Sequence, residues 1–73
     1  MYELIYFDKE TEEVSVYFEL PNLSHDDVLK IFGFALRGNC ADVSLAQLVE
    51  IENCVGETFP RYNCDIEIAE VSD

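Results

Sequence analysis

The chain predicts an α+β fold: a two-layer sandwich in which two helices cover one face of a three-stranded, mainly antiparallel sheet, in the order ββααβ. Three observations carry this expectation. Apolar residues recur with period two near both ends of the chain and with period three to four in its middle. Two serine-led capping signatures, at Ser24 and Ser44, mark where helices begin. The chain has 73 residues, which allows one core and a single domain over 1–73, because so short a chain buries only about 60% of the surface it exposes unfolded.

Tyr2-Glu3-Leu4-Ile5-Tyr6-Phe7-Asp8 and Val14-Ser15-Val16-Tyr17-Phe18-Glu19-Leu20 are rich in β-branched and aromatic residues, and the polar run between them has hairpin length. They read as the first two strands. In the second, Val14, Val16, Phe18 and Leu20 share one face, leaving Ser15, Tyr17 and Glu19 on the other. The first is ambiguous, because Tyr2, Leu4 and Tyr6 are matched by Ile5 and Phe7 on the opposite side. It is either buried on both faces or leaves Ile5 and Phe7 exposed as a patch.

Pro21-Asn22 stops the second strand, and Ser24 then opens a helix, with Asp27 three residues on and Leu23 placed to staple onto Val28. Asp26 and Asp27 complement the positive end of the helix dipole. Spacing predicts this helix over 24–36, with Val28, Leu29, Phe32, Ala35 and Leu36 toward the core. Gly33 either sits inside it, at about 1 kcal/mol relative to alanine, or ends it early. Arg37-Gly38-Asn39 reads as a C-terminal cap and turn. Ser44, with Gln47 three residues on and Val43 set against Leu48, opens a second helix over 44–55 that stops at Gly56. Its apolar stripe is Leu45, Leu48, Val49 and Ile51. A loop follows to Pro60, after which Tyr62, Cys64, Ile66 and Ile68 alternate with Asn63, Asp65, Glu67 and Ala69, a third strand with one acidic face.

Apolar residues make up 49% of the chain and include five phenylalanines and four tyrosines, too many for disorder. Asp, Glu or Lys breaks every apolar stretch short of the about 20 residues that a membrane span needs. Residues 1–7 lack the basic and long apolar regions of a signal peptide, so a cytoplasmic location with reduced thiols is expected. Cys40, Cys54 and Cys64 lie too far apart for the closely paired ligands of a zinc site. They are expected to be small core residues, with no metal and no other cofactor. His25 is the only histidine and falls at a solvated helix start, so no cysteine or serine gains a neighbouring base. Gly33, Gly38 and Gly56 are isolated and form no phosphate loop. A catalytic carboxylate pair needs one desolvated member, and the acidic clusters here fall on exposed segments. An enzyme is not expected.

Sixteen Asp and Glu against four Lys and Arg give a net charge of −12. Such a charge repels nucleic-acid phosphates and anionic membranes, which excludes both as partners. It also exceeds the magnitude of about 2–8 that keeps a small domain in solution, and is read as a field that attracts a basic protein. Asp8, Glu10, Glu12 and Glu13 crowd the hairpin, whereas between Val28 and Val49 the one acid is Asp42. An uncovered sheet face would gather Tyr17, Glu19, Asp65 and Glu67, with Glu3 joining if Leu4 and Tyr6 are buried. An aromatic residue among carboxylates supplies the anchor and charge complement that interfaces use. The candidate partner-binding residues are therefore Tyr17, Glu19, Asp65 and Glu67 with the hairpin acids Glu10, Glu12 and Glu13. The free protein is expected to be a monomer or weak dimer.

Four segments carry a family resemblance: Phe7-Asp8-Lys9-Glu10-Thr11-Glu12-Glu13, Glu19-Leu20-Pro21-Asn22-Leu23, Ile31-Phe32-Gly33 and Tyr62-Asn63-Cys64-Asp65-Ile66-Glu67. With them the chain resembles a group of short bacterial proteins similar to the immunity proteins of interbacterial toxin systems, including contact-dependent growth inhibition. The resemblance implies a cytoplasmic antidote that plugs a toxin domain, often a basic nuclease, by one-to-one binding, and it implies no catalytic residue. Two other readings stay open. One is a phage-encoded inhibitor that mimics nucleic acid, as anti-CRISPR proteins do. The other is a structural or assembly subunit whose Ile5 and Phe7 pair with a partner's sheet.

Overall fold

Alternation of apolar and polar residues produces strands β1 (Tyr2–Asp8) and β2 (Val14–Leu20) with the bounds expected, in a computed structural model that describes residues 1–71. Asp8 closes the hairpin between them. Its Oδ1 accepts the amides of Glu10 at 2.8 Å and Thr11 at 3.1 Å, and these bonds to the ionised form hold its carboxyl below the ordinary carboxylate value. Glu12, at φ 63°, makes the left-handed step of the turn. The hairpin register slips between Tyr6 and Phe7, a bulge that leaves Ser15 as the extra residue and sets Val14, expected on the inner face with Val16, opposite Phe7 on the other face.

Helix α1 (His25–Phe32) starts where Ser24 predicts, its hydroxyl accepting the Asp27 amide and the Asp27 carboxylate accepting the Ser24 amide, both at 3.1 Å. It ends before 36. Gly33 adopts φ 81° and donates its N–H back to the Leu29 carbonyl, a left-handed cap that glycine takes without strain. Leu36 is still buried, from the following loop, while Leu29 and Ala35 are exposed: an eight-residue helix turns fewer side chains inward than the longer one expected.

Between the helices lies β3 (Cys40–Asp42), so the sheet has four strands rather than three and the order is ββαβαβ. Three small or polar residues are too few to show a period, which is why this segment reads as a loop. Tertiary bonds define it instead: the Gly38 amide donates to Glu70 Oε1 at 2.6 Å, and the Glu70 amide donates to the Asn39 carbonyl at 3.3 Å. Helix α2 (Leu45–Val55) follows, capped by Ser44 and Gln47 and stopped by Gly56. Its buried residues are Leu48, Ile51, Glu52 and Val55. Leu45 and Val49, expected in the stripe, face outward because Glu52 turns in to meet Phe59 and Arg61. The last strand, β4 (Cys64–Glu70), begins two residues later than expected.

Strand order is β2-β1-β4-β3, antiparallel throughout. Tyr2, Leu4 and Tyr6 of β1 face the same side as Ile66 and Ile68 of β4, and they join Val28, Leu48, Ile51 and Val55 in one core. Both helices therefore cover one face of the sheet. Among the described residues no helix is long and apolar enough to cross a membrane.

The α2 cap sets a modest, checkable cost. Ser44→Ala removes the acceptor for the Gln47 amide, now met at 3.1 Å, and is expected to lower unfolding free energy by about 1 kcal/mol. Urea denaturation should show an earlier midpoint with unchanged slope.

Candidate partner-binding face

Because side chains alternate along a strand, burial of Tyr2, Leu4 and Tyr6 sends Glu3, Ile5 and Phe7 to the other side of β1. The registers extend each of these across the sheet. Glu3 lies between Glu19 of β2 and Ala69 of β4, and Ala69 pairs with Cys40 of β3. Ile5 lies between Tyr17 and Glu67, and Glu67 pairs with Asp42. Phe7 lies between Val14 and Asp65.

This face carries an apolar patch on its β1–β2 half and carboxylates around it. Tyr17 is 58% exposed and Val14 55%, with Ile5 and Phe7 half-buried between their neighbours. β1 falls between the two arrangements the sequence left open: Ile5 and Phe7 are neither fully buried nor exposed, and the exposed apolar residues of this half are Val14 and Tyr17 of β2. Glu67, Asp65 and Asp42 line the β4–β3 side, and Glu3 and Glu19 close one end. Four of the expected residues, Tyr17, Glu19, Asp65 and Glu67, thus share one face with Glu3.

Two features were not legible beforehand. Asp42 joins the face because β3 exists, and β3 gave no periodic signal. The registers also set acid against acid: Glu3 pairs with Glu19, and Glu67 with Asp42. Among the described residues, Arg61 forms an ion pair with Glu52 and the His25 ring stands 3.8 Å from the Glu70 carboxylate, and neither contact involves these four. The hairpin acids Glu10, Glu12 and Glu13 are exposed but stand in the turn, off the sheet face and beyond its Phe7–Val14 end.

Beside β4, where β3 stops, a cleft of about 910 Å³ is lined by the acids Asp42, Asp65 and Glu67 together with the cations Lys9 and Arg61 and with Leu45 and Tyr62. Tyr62, expected in the last strand, is 57% exposed at this rim.

Two cysteines depart from expectation: Cys40 and Cys54 are exposed, because β3 and the outer side of α2 are not core positions, whereas Cys64 packs partly buried against the core. Local desolvation raises the Cys54 thiol pKa, and the Asp27 carboxylate beside it adds to the effect. His25, exposed at the start of α1, has its Nδ1 2.5 Å from the Tyr2 hydroxyl and 3.8 Å from Glu70 Oε2. Among the described residues no group of three or more His, Cys, Asp or Glu is placed to hold a metal ion.

A family model described as Domain of unknown function (DUF7683) matches residues 1–69. No curated protein and no solved structure matches the chain.

Proposed function

We propose that this chain, which belongs to the DUF7683 family, is an acidic inhibitor that neutralises a cognate basic toxin, of nuclease type, by one-to-one binding through the open face of its sheet, as an immunity protein does. The observation that carries this reading is the pairing of Glu3 with Glu19 and of Glu67 with Asp42 on that face. Cross-strand pairs of this kind are worth roughly 0.2–1 kcal/mol, and like charges make the contribution unfavourable. Folding gains nothing from them. A cation supplied from outside converts each into attraction, and the neighbouring Tyr17, Ile5 and Phe7 supply apolar area that a partner desolvates.

The toxin's chemistry follows from the same groups. A nuclease cleft is lined with cations that hold phosphate, and carboxylates several ångströms apart on a rigid sheet occupy it as phosphate surrogates. The reading places the protein in the cytoplasm, where Cys40, Cys54 and Cys64 stay reduced.

Stopped-flow association with a candidate basic toxin domain tests it. Reversing charge at Glu19 and Glu67 together (Glu19→Lys, Glu67→Lys) is expected to slow association about 10-fold at low salt and to flatten its dependence on ionic strength. Tyr17→Ala is expected to speed dissociation instead, because the contact it makes forms after encounter. Suppose the face reversals leave the rate unchanged while neutralising Glu10, Glu12 and Glu13 slows it; the hairpin is then the surface, and the reading of the face is overturned.

A further inference from the structure

We propose that the element of the partner covering the open face is a single short amphipathic α-helix, seated on the β1–β2 half with its cations along the flank that faces β4. This inference rests on the reading above and names what that reading leaves open, the shape of the recognised segment.

The argument begins with backbone hydrogen bonds. The open face presents side chains, while the sheet's own N–H and C=O groups lie in its plane and are used between strands. A segment laid over this face finds no backbone partners there, so it must satisfy its own. An extended peptide does not do this. A helix does, and so does a second sheet.

Shape separates those two. Apolar side chains occupy the width of two strands, Val14 and Tyr17 on β2 and Ile5 and Phe7 on β1, and two strands spaced about 4.8 Å apart span about one helix diameter of 10 Å. A covering sheet would need apolar surface across β4 and β3 as well, where Asp65, Glu67 and Asp42 stand.

Length and charge spacing then set the helix's pattern. From the Glu3–Glu19 pair to the Phe7–Val14 pair is about four residues, or about 14 Å of strand, which a helix of about nine residues covers. Asp65 and Glu67 are two residues apart on β4, about 6.8 Å, and cations at i and i+4 on a helix are about 6.0 Å apart along its axis. The occupant is therefore a helix with an apolar i, i+4, i+7 stripe and basic residues on the adjacent flank, a further cation at one end meeting Glu3 and Glu19.

Three synthetic peptides of about 15 residues, acetylated and amidated, test this against the full-length protein. The first carries leucines at i, i+4 and i+7 on an alanine background, with an arginine one residue after each. The second moves each arginine one further residue on, away from that flank. The third is the first with a central alanine replaced by proline, which breaks the helix and keeps the charge. Calorimetry at low salt is expected to show the first binding at least about 10-fold tighter than the others. Amide shifts of the labelled protein are expected to concentrate at Ile5, Phe7, Tyr17 and Glu67. Tyr17→Ala, at a side chain already 58% exposed, is expected to weaken the first peptide several-fold with thermal stability unchanged.

Equal binding by the proline peptide overturns the helix, as do shifts confined to the hairpin or to α1 and α2. Neither result touches the capture of a basic domain by the face as a whole, whose own failure shows separately as association insensitive to the Glu19 and Glu67 reversals.

Discussion

Replacing Glu52 by alanine is expected to destabilise the fold by about 2–3 kcal/mol, a large part of the roughly 4–11 kcal/mol that a chain of this length holds. Glu52 is 9% exposed and accepts three hydrogen bonds. Arg61 Nη2 reaches Oε1 at 2.7 Å, Arg61 Nη1 reaches Oε2 at 2.9 Å, and the Phe59 amide reaches Oε2 at 2.7 Å. The same Arg61 Nη1 donates to the Phe59 carbonyl at 2.7 Å. One carboxylate on α2 thus ties the loop that brings Phe59 into the core, 5.4 Å between ring centres from Phe18. Its removal leaves the Phe59 amide without an acceptor in a buried place, and unmet buried donors cost more than the bond itself contributes. Glu52→Gln keeps an acceptor for that amide and is expected to cost less than alanine. If both variants unfold at the wild-type urea midpoint, the clamp contributes nothing and the argument fails.

The same carboxylate gives stability a pH dependence whose sign is fixed. Hydrogen bonds from Arg61, then from the Phe59 amide, lower its pKa from 4.5 to about 2. A carboxyl depressed by folding binds its proton more readily in the unfolded chain, so its contribution is fully present above about pH 4.5 and lost as pH falls toward about 2. At about 1.36 kcal/mol per decade the gap corresponds to about 3 kcal/mol. Water around half-exposed Arg61 screens the pair and reduces this to about 2 kcal/mol. Glu52→Gln removes this share of the dependence while Asp8 and Asp27, also lowered in the fold, keep theirs, so the wild-type and variant curves of stability against pH should converge in acid.

Local signals and long-range contacts explain what could be read in advance. The hairpin strands and both capping boxes depend on residues within four positions of one another, and their bounds were legible at Tyr2–Asp8, Val14–Leu20, Ser24 and Ser44. Gly33 was ambiguous because a glycine inside a helix and one that ends it look alike until φ is known. Strand β3 depends wholly on β4, a partner more than 20 residues away in sequence, and so does the place of Asp42. The clamp joins residues nine apart across a loop, a spacing that no helical or strand period marks. For the face, alternation alone sufficed to put Tyr17 with Glu19 and Asp65 with Glu67. That the two pairs share one side followed from the two-layer architecture, and what the structure added is the central position of β1, which pairs with both β2 and β4 and so sets the two pairs on its opposite flanks.

That central strand also supplies the sharpest comparison between adjacent residues. Leu4→Ala is expected to cost about 3–4 kcal/mol, within the range for buried leucines, because Leu4 is 0% exposed and stands between Phe18 and Ile68 beneath the helices. Strands on both sides hold β1 in place, so the cavity has little room to collapse, and the unfilled volume adds to the lost transfer energy. Ile5→Ala removes a side chain of the same size one residue away, on the open and half-buried side, and is expected to cost about 1 kcal/mol. Urea denaturation of the two variants reads the difference directly. Equal costs would mean that both sides of β1 are covered, and an Ile5 that is already covered leaves no apolar patch for a partner to occupy.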